Sequence, residues 1–182
     1  MHPTLDPTCQ RIVGVLIEKE LSVPDSYPLT LNALVAGCNQ QSNREPAMSF
    51  ETFQIEGALW SLHEREFVAR VDGNGRVTKY RHRMRERFSL DEHALAVMAE
   101  LLLRGPQAPG ALKPRVQRMG FVAEPESILQ VLESMAQRGL VSQLPLGPRE
   151  RDRRWRHLLG DGSERATEAG GGEESAPAAV AG

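Results

Sequence analysis

A helix-to-strand unit occurs twice in this chain. Ile55, Leu59, Leu62, Phe67 and Val68 recur as Ile128, Leu132, Met135, Leu140 and Val141, at a constant offset of 73 residues. Each set carries helical spacing and then switches to an adjacent apolar pair that starts a strand. Repetition of a whole supersecondary unit within 182 residues restricts the chain to two small, similar domains in series.

The residues around each unit complete the pattern. Asp6-Pro7 is a helix start, a capping carboxylate followed by proline at the first helical position. Ile12, Val13, Leu16, Ile17 and Leu21 then recur at helical spacing. Val23 to Pro28 breaks the helix, and Thr30 caps a second one through Leu31, Leu34, Val35 and Cys38. After a polar loop, Asn39 to Pro46, Ser49 is the expected cap of a third helix, with Phe53, Leu59, Trp60 and Leu62 as its core residues. Val68 to Val71 and Val77 to Arg81 alternate about the turn Asp72-Gly73-Asn74-Gly75, a hairpin signal.

The second half runs the same way. Ser89-Leu90-Asp91-Glu92 reads as a capping box before Leu95, Met98, Leu101 and Leu102. Ala111 to Met119 is a short second helix, started there so that Pro114 falls in its first turn. Pro125 opens a third helix with Ile128, Val131, Leu132 and Met135 inward. Gly139 ends it before the strand Leu140 to Leu144. Three helices closed by a hairpin, twice, predict a mainly α chain with small β-hairpins (α+β): two tandem winged helix-turn-helix domains, residues 5–87 and 88–159.

From Gly160 to Gly182 the chain is Gly, Ala, Ser and Glu with Val180 as its one large apolar residue. Such a segment cannot bury enough surface to offset its chain entropy, which predicts a disordered acidic tail over residues 160–182. The tail carries about −4 of the formal charge of −2, leaving the body mildly basic. No apolar run is long enough to span a bilayer, and the N-terminus lacks a signal-peptide pattern, so a cytoplasmic protein without membrane contact is expected. Cys9 and Cys38 sit in apolar helical patterns, as reduced core thiols do.

Several runs resemble the YceH family of bacterial proteins: Gly14 to Glu20, Pro24 to Leu29, Asn32-Ala33-Leu34, Cys38-Asn39-Gln40 and Ser42-Asn43-Arg44-Glu45-Pro46. Lys79-Tyr80 with His82-Arg83, Leu101 to Gln107, and Pro109-Gly110 continue the resemblance, which spans roughly residues 5 to 159. It implies a tandem winged-helix fold and supplies no activity. Lys113-Pro114 departs from the family pattern.

No catalytic set accompanies the fold. His2, His63, His82, His93 and His157 have no paired spacing and no cysteine partner, and no phosphate-binding glycine loop or nucleophile elbow is present. The expected protein is therefore non-enzymatic, with no cofactor and no metal. Two readings stand side by side. In the first, basic wings grip the phosphates of double-stranded DNA in a regulator-like protein, through Arg44, Arg76, Lys79, Arg81, Arg83, Arg151, Arg153 and Arg154. In the second, the winged helices bind protein, as in the chromosome-segregation proteins whose tandem layout is similar. Arginine-rich wings favour the first. The third helices favour the second: Glu51, Glu56, Glu64 and Glu66 lie on or beside one, and Glu124, Glu126 and Glu133 on or beside the other, where a major-groove reader brings cations and amides. A homodimer through a flanking helix is compatible with either reading.

Overall fold

The structure is a computed structural model that describes residues 3–73 and 77–162. It is a mixed α and β protein with small antiparallel sheets. In the first half come α1 (Pro7–Ser22), β1 (Leu29–Thr30), α2 (Leu31–Cys38), α3 (Thr52–Glu64), β2 (Val68–Asp72) and β3 (Thr78–His82). The second half holds α4 (Met84–Phe88), α5 (Glu92–Arg104), α6 (Pro109–Gln117), α7 (Pro125–Gln137), β4 (Val141–Gln143) and β5 (Trp155–His157). The first sheet has the order β1-β3-β2, with Val68 opposite His82 and Asp72 opposite Thr78. In the second, β4 pairs with β5 alone. The tip of the first hairpin, residues 74–76, lies outside the described residues.

Local chemistry accounts for most boundaries. The Cys9 N–H donates to Asp6 Oδ1 at 2.8 Å and Pro7 takes the first helical position. The Ala33 N–H donates to Thr30 Oγ1 at 3.2 Å at the head of α2. The duplicated unit closes identically in both halves. The Phe67 N–H donates to the Leu62 carbonyl at 2.9 Å, and the Leu140 N–H to the Met135 carbonyl at 3.0 Å. The residue before each is left-handed: Glu66 with φ 62° and Gly139 with φ 72°. The first half thus places a glutamate where the second uses the residue type best suited to that conformation.

The core sits where α1 crosses α5. Both helices are buried on every side in their middle turns, from Cys9 to Glu18 and from Ala94 to Leu103. Gly14 allows the approach: a Cβ there would stand 2.9 Å from Leu103 Cγ. The first half's core (Ile55, Leu59, Leu62, Phe67) and the second's (Ile128, Leu132, Met135, Leu140) pack onto this pair as one continuous cluster.

Five expectations need correction. Ser49 does not cap α3: Glu51 takes the cap position and the Gln54 side chain accepts from its N–H at 2.8 Å. Ser89 does not cap α5, because it ends the unforeseen α4 in a left-handed conformation (φ 49°); the cap is Asp91, whose Oδ1 accepts from the Ala94 N–H. Helix α6 starts at Pro109, so Pro114 lies inside it, past the first turn. Phe53 and Trp60 are exposed rather than core. Finally, Leu5 is bridged to Gly160, with the Leu5 N–H donating to Leu159 and the Asp161 N–H to Leu5. Ordered contacts therefore run past the expected start of the tail, while residues 163–182 of it lie outside the described residues. No described helix is long and apolar enough to cross a membrane.

Candidate interaction surface

The residues expected to meet phosphate are largely committed elsewhere. Arg44 is buried. Its two terminal nitrogens donate to the two oxygens of Glu18 at 2.9 and 2.7 Å, and its Nε to the Gly37 carbonyl at 3.2 Å. It is the end of a charge chain between the halves. Arg118 bridges Glu18 at 2.6 Å and Glu100 at 2.7 Å, and Arg104 reaches Glu100 at 3.2 Å. Burial would raise the Glu18 carboxyl, but the hydrogen bonds and charge of Arg44, then Arg118 and Lys19, bring it down to about 2. The same loop is tied to the second half by the Glu45 N–H on the Leu103 carbonyl and by Arg104 on Asn43 Oδ1 at 2.7 Å. Arg44 is thus a structural cation, unavailable to a nucleic acid.

At the β2–β3 hairpin and its exit, Arg81 pairs with Glu86 at 2.7 Å and Arg83 with Glu66 at 3.5 Å. Lys79 is exposed, with no ion pair among the described residues, and Arg76 lies outside them. In the segment between β4 and β5, Arg154 pairs with Glu150 at 2.8 Å. Arg151 and Arg153 are exposed and make no ion pair among the described residues. Three of the eight expected contacts therefore remain free as described.

The opposite situation holds on α3. Ile55, Leu59 and Leu62 face the core, whereas Phe53 and Trp60 stand 71% and 70% exposed. Seven residues apart, these two lie on one face, about two turns or roughly 10 Å from each other along the axis. Gly57 lies between them with no other atom within 4 Å of where its Cβ would be. Glu56 and Glu64 flank this face and Glu51 caps the start of the helix, all three exposed and without ion pairs among the described residues. The cation at its end, Arg65, turns away to donate to the Thr4 carbonyl at 2.6 Å. The segment joining α2 to α3, residues 39–51, is far longer than the turn of a helix-turn-helix. It is held by Asn39, which accepts from the Phe50 N–H at 2.7 Å and donates to the Phe50 carbonyl at 2.9 Å.

Among the described residues, no three His, Cys, Asp or Glu side chains are grouped to hold a metal. Cys9 and Cys38 are buried, and burial, helped at Cys9 by Asp6, pushes both thiols up to about 12. His82 is buried in the first half. Its Nδ1 accepts from the Met84 N–H and its Nε2 lies 3.3 Å from Glu20, which fixes the hairpin exit against α1.

The family model described as "Protein of unknown function, DUF480" matches residues 5–150. The chain belongs to this family. A UPF0502 protein of Geobacter metallireducens is 44% identical over 97% of this chain and 80% of its own length. One from Azoarcus sp. (strain BH72) is 44% identical over 96% and 78%, and one from Citrifermentans bemidjiense 42% identical over 87% and 75%. The DUF480 match begins at Leu5, the residue bridged to Gly160, and includes both copies of the repeated unit. The interface between the halves, with its charge chain, thus lies inside the family's span.

Proposed function

We propose that this DUF480 protein is a non-enzymatic tandem winged-helix protein whose third helix, α3, docks another protein. The two halves support the fold reading: each has a long helix, a shorter second helix, a third helix and a two-stranded antiparallel hairpin. That order is also what the YceH resemblance implies. Two buried thiols fit a reducing cytoplasm.

The observation that carries the docking reading is the exposure of Phe53 and Trp60 on one helix face. Covering a large aromatic side chain is worth roughly 1.5–3 kcal/mol, and the fold leaves this gain uncollected twice on one element. Aromatic anchors of this kind form the centres of protein interfaces. The acidic rim disfavours phosphate on the same face, since the unpaired carboxylates of Glu56 and Glu64 would meet the negative charge of a DNA groove.

The DNA reading retains Lys79, Arg151 and Arg153 as free cations. Most of its other contacts have carboxylate partners close by, and paired cations release fewer counterions. Fluorescence anisotropy with random duplex DNA at low and moderate salt separates the two. Docking through α3 predicts no tight, steeply salt-dependent binding. Such binding, abolished by alanine at Lys79, Arg151 and Arg153 together, would put DNA in place of the protein partner.

A further inference from the structure

Gly57 has no internal explanation. It is in the middle of α3, where glycine weakens a helix relative to alanine. Its backbone is ordinary helix, and a Cβ there would meet nothing within 4 Å. Gly14, mid-helix in α1, and Gly37, next to the last residue of α2, are accounted for. A Cβ on Gly14 would strike Leu103 of α5 at 2.9 Å, and one on Gly37 would strike Val15 of α1 at 2.7 Å. In this fold, glycine inside a helix marks the place where another helix crosses closely. Gly110, also in open space, sits in the first turn of α6, just after Pro109, where a helix is least demanding.

Given that α3 docks a protein, we infer that the partner presents a basic amphipathic α-helix that crosses α3 at Gly57. The missing side chain leaves a notch between Phe53 and Trp60. An apolar side chain of the crossing helix fills the notch while the two rings close over its flanks. Helix axes normally stand 8–10 Å apart, and a glycine at the crossing permits the lower end of that range. Glu56 and Glu64 border the notch, and Glu51 stands at the start of the helix, exposed and without ion pairs among the described residues. Lysine or arginine beside the partner's apolar stripe completes these carboxylates. A second copy of this chain is a poor occupant: α3 against α3 would set the same glutamates against each other.

The test is selection of a displayed library of 18-residue helical peptides, with one fixed apolar stripe and randomised flanks, on the immobilised full chain. Selected peptides are then synthesised and titrated by fluorescence polarisation against wild type, Gly57→Ala, Trp60→Ala and the double variant Glu56→Lys/Glu64→Lys. The inference expects lysine and arginine to dominate the flanks. It expects Gly57→Ala to weaken binding at least tenfold while melting about 2–4 °C above wild type, so that lost affinity cannot be lost folding. The charge-reversed variant should lose binding to the same degree. Binding that is sensitive to Trp60→Ala but indifferent to Gly57→Ala, or peptides without basic flanks, would overturn the crossing helix and leave α3 docking intact. Peptides indifferent to Trp60→Ala, or no enrichment at all, would overturn both. Self-association of the full chain in sedimentation, lost on Trp60→Ala, would make the occupant a second copy and overturn the basic partner.

Discussion

Replacing Arg44 with methionine tests what the buried charge chain does. The substitution keeps most of the side-chain volume and removes the cation that donates twice to Glu18. Both side chains of this pair are fully shielded from solvent, so Glu18 is left with Arg118 and the outlying Lys19. The Gly37 carbonyl also loses both guanidinium donors and keeps only the backbone N–H groups of Asn39 and Gln40. Removing one partner of a buried pair costs about 3–5 kcal/mol, which in a domain of this size lowers Tm by roughly 10 °C. The pH dependence gives a second readout. Glu18 is held at about 2 against an ordinary 4.5, so the folded state binds its proton less readily than the unfolded chain. Its contribution is therefore complete above pH 4.5 and is lost as pH falls from there through about 2. That contribution is on the order of 3 kcal/mol. Urea denaturation followed by circular dichroism at pH 7 and at steps down to pH 3 should show Arg44→Met destabilised at pH 7, with a shallower acid limb. A variant within about 0.5 kcal/mol of wild type at pH 7, with the acid limb unchanged, would refute the reasoning and return Arg44 to the surface.

Three further outcomes follow from the packing. Gly14→Ala forces a methyl against Leu103 and Leu102 and should cost about 1–3 kcal/mol in urea denaturation, whereas an unchanged midpoint would show that the helices part freely. Glu66→Gly should stabilise and Gly139→Ala destabilise, each by about 1 kcal/mol, because both residues are left-handed; opposite signs in thermal melts would contradict the matched closure of the halves. The buried thiols of Cys9 and Cys38, with pKa values pushed to about 12, should react with a disulfide reagent at pH 8 only as fast as the protein opens, and labelling within the mixing time would contradict their burial.

The repeat is legible because both copies need apolar residues at the same five spacings to close a helix onto a strand. The aromatics of α3 were also legible, on a stricter reading. At 100° per residue, Phe53 and Trp60 fall about 140–160° from Ile55 and about 160–180° from Leu62, away from the core stripe. Apolar character alone points them to the core. Arg44 reads as a surface cation because its partner, Glu18, is 26 residues away on α1 and reaches the Arg44 loop only through the tertiary fold. The available signal was Glu18 itself, a charge set among Ile12, Val13, Leu16, Ile17 and Leu21. A carboxylate inside so apolar a helix needs a cation. Glu100, between Leu95 and Leu103, carried the same signal for Arg118 and Arg104. Ion pairs such as Arg81 with Glu86 looked like free positive charge because composition counts cations without their neighbours.

The claim that α3 meets protein is tested most directly by a photo-crosslinking phenylalanine analogue, which keeps an aromatic ring at the anchor, placed at position 60 and, separately, at position 79, in living cells. The account predicts covalent protein adducts from position 60, diminished when Gly57→Ala is added, and no nucleic-acid adducts from position 79. Nucleic-acid adducts from position 79, with none to protein from position 60, would contradict it.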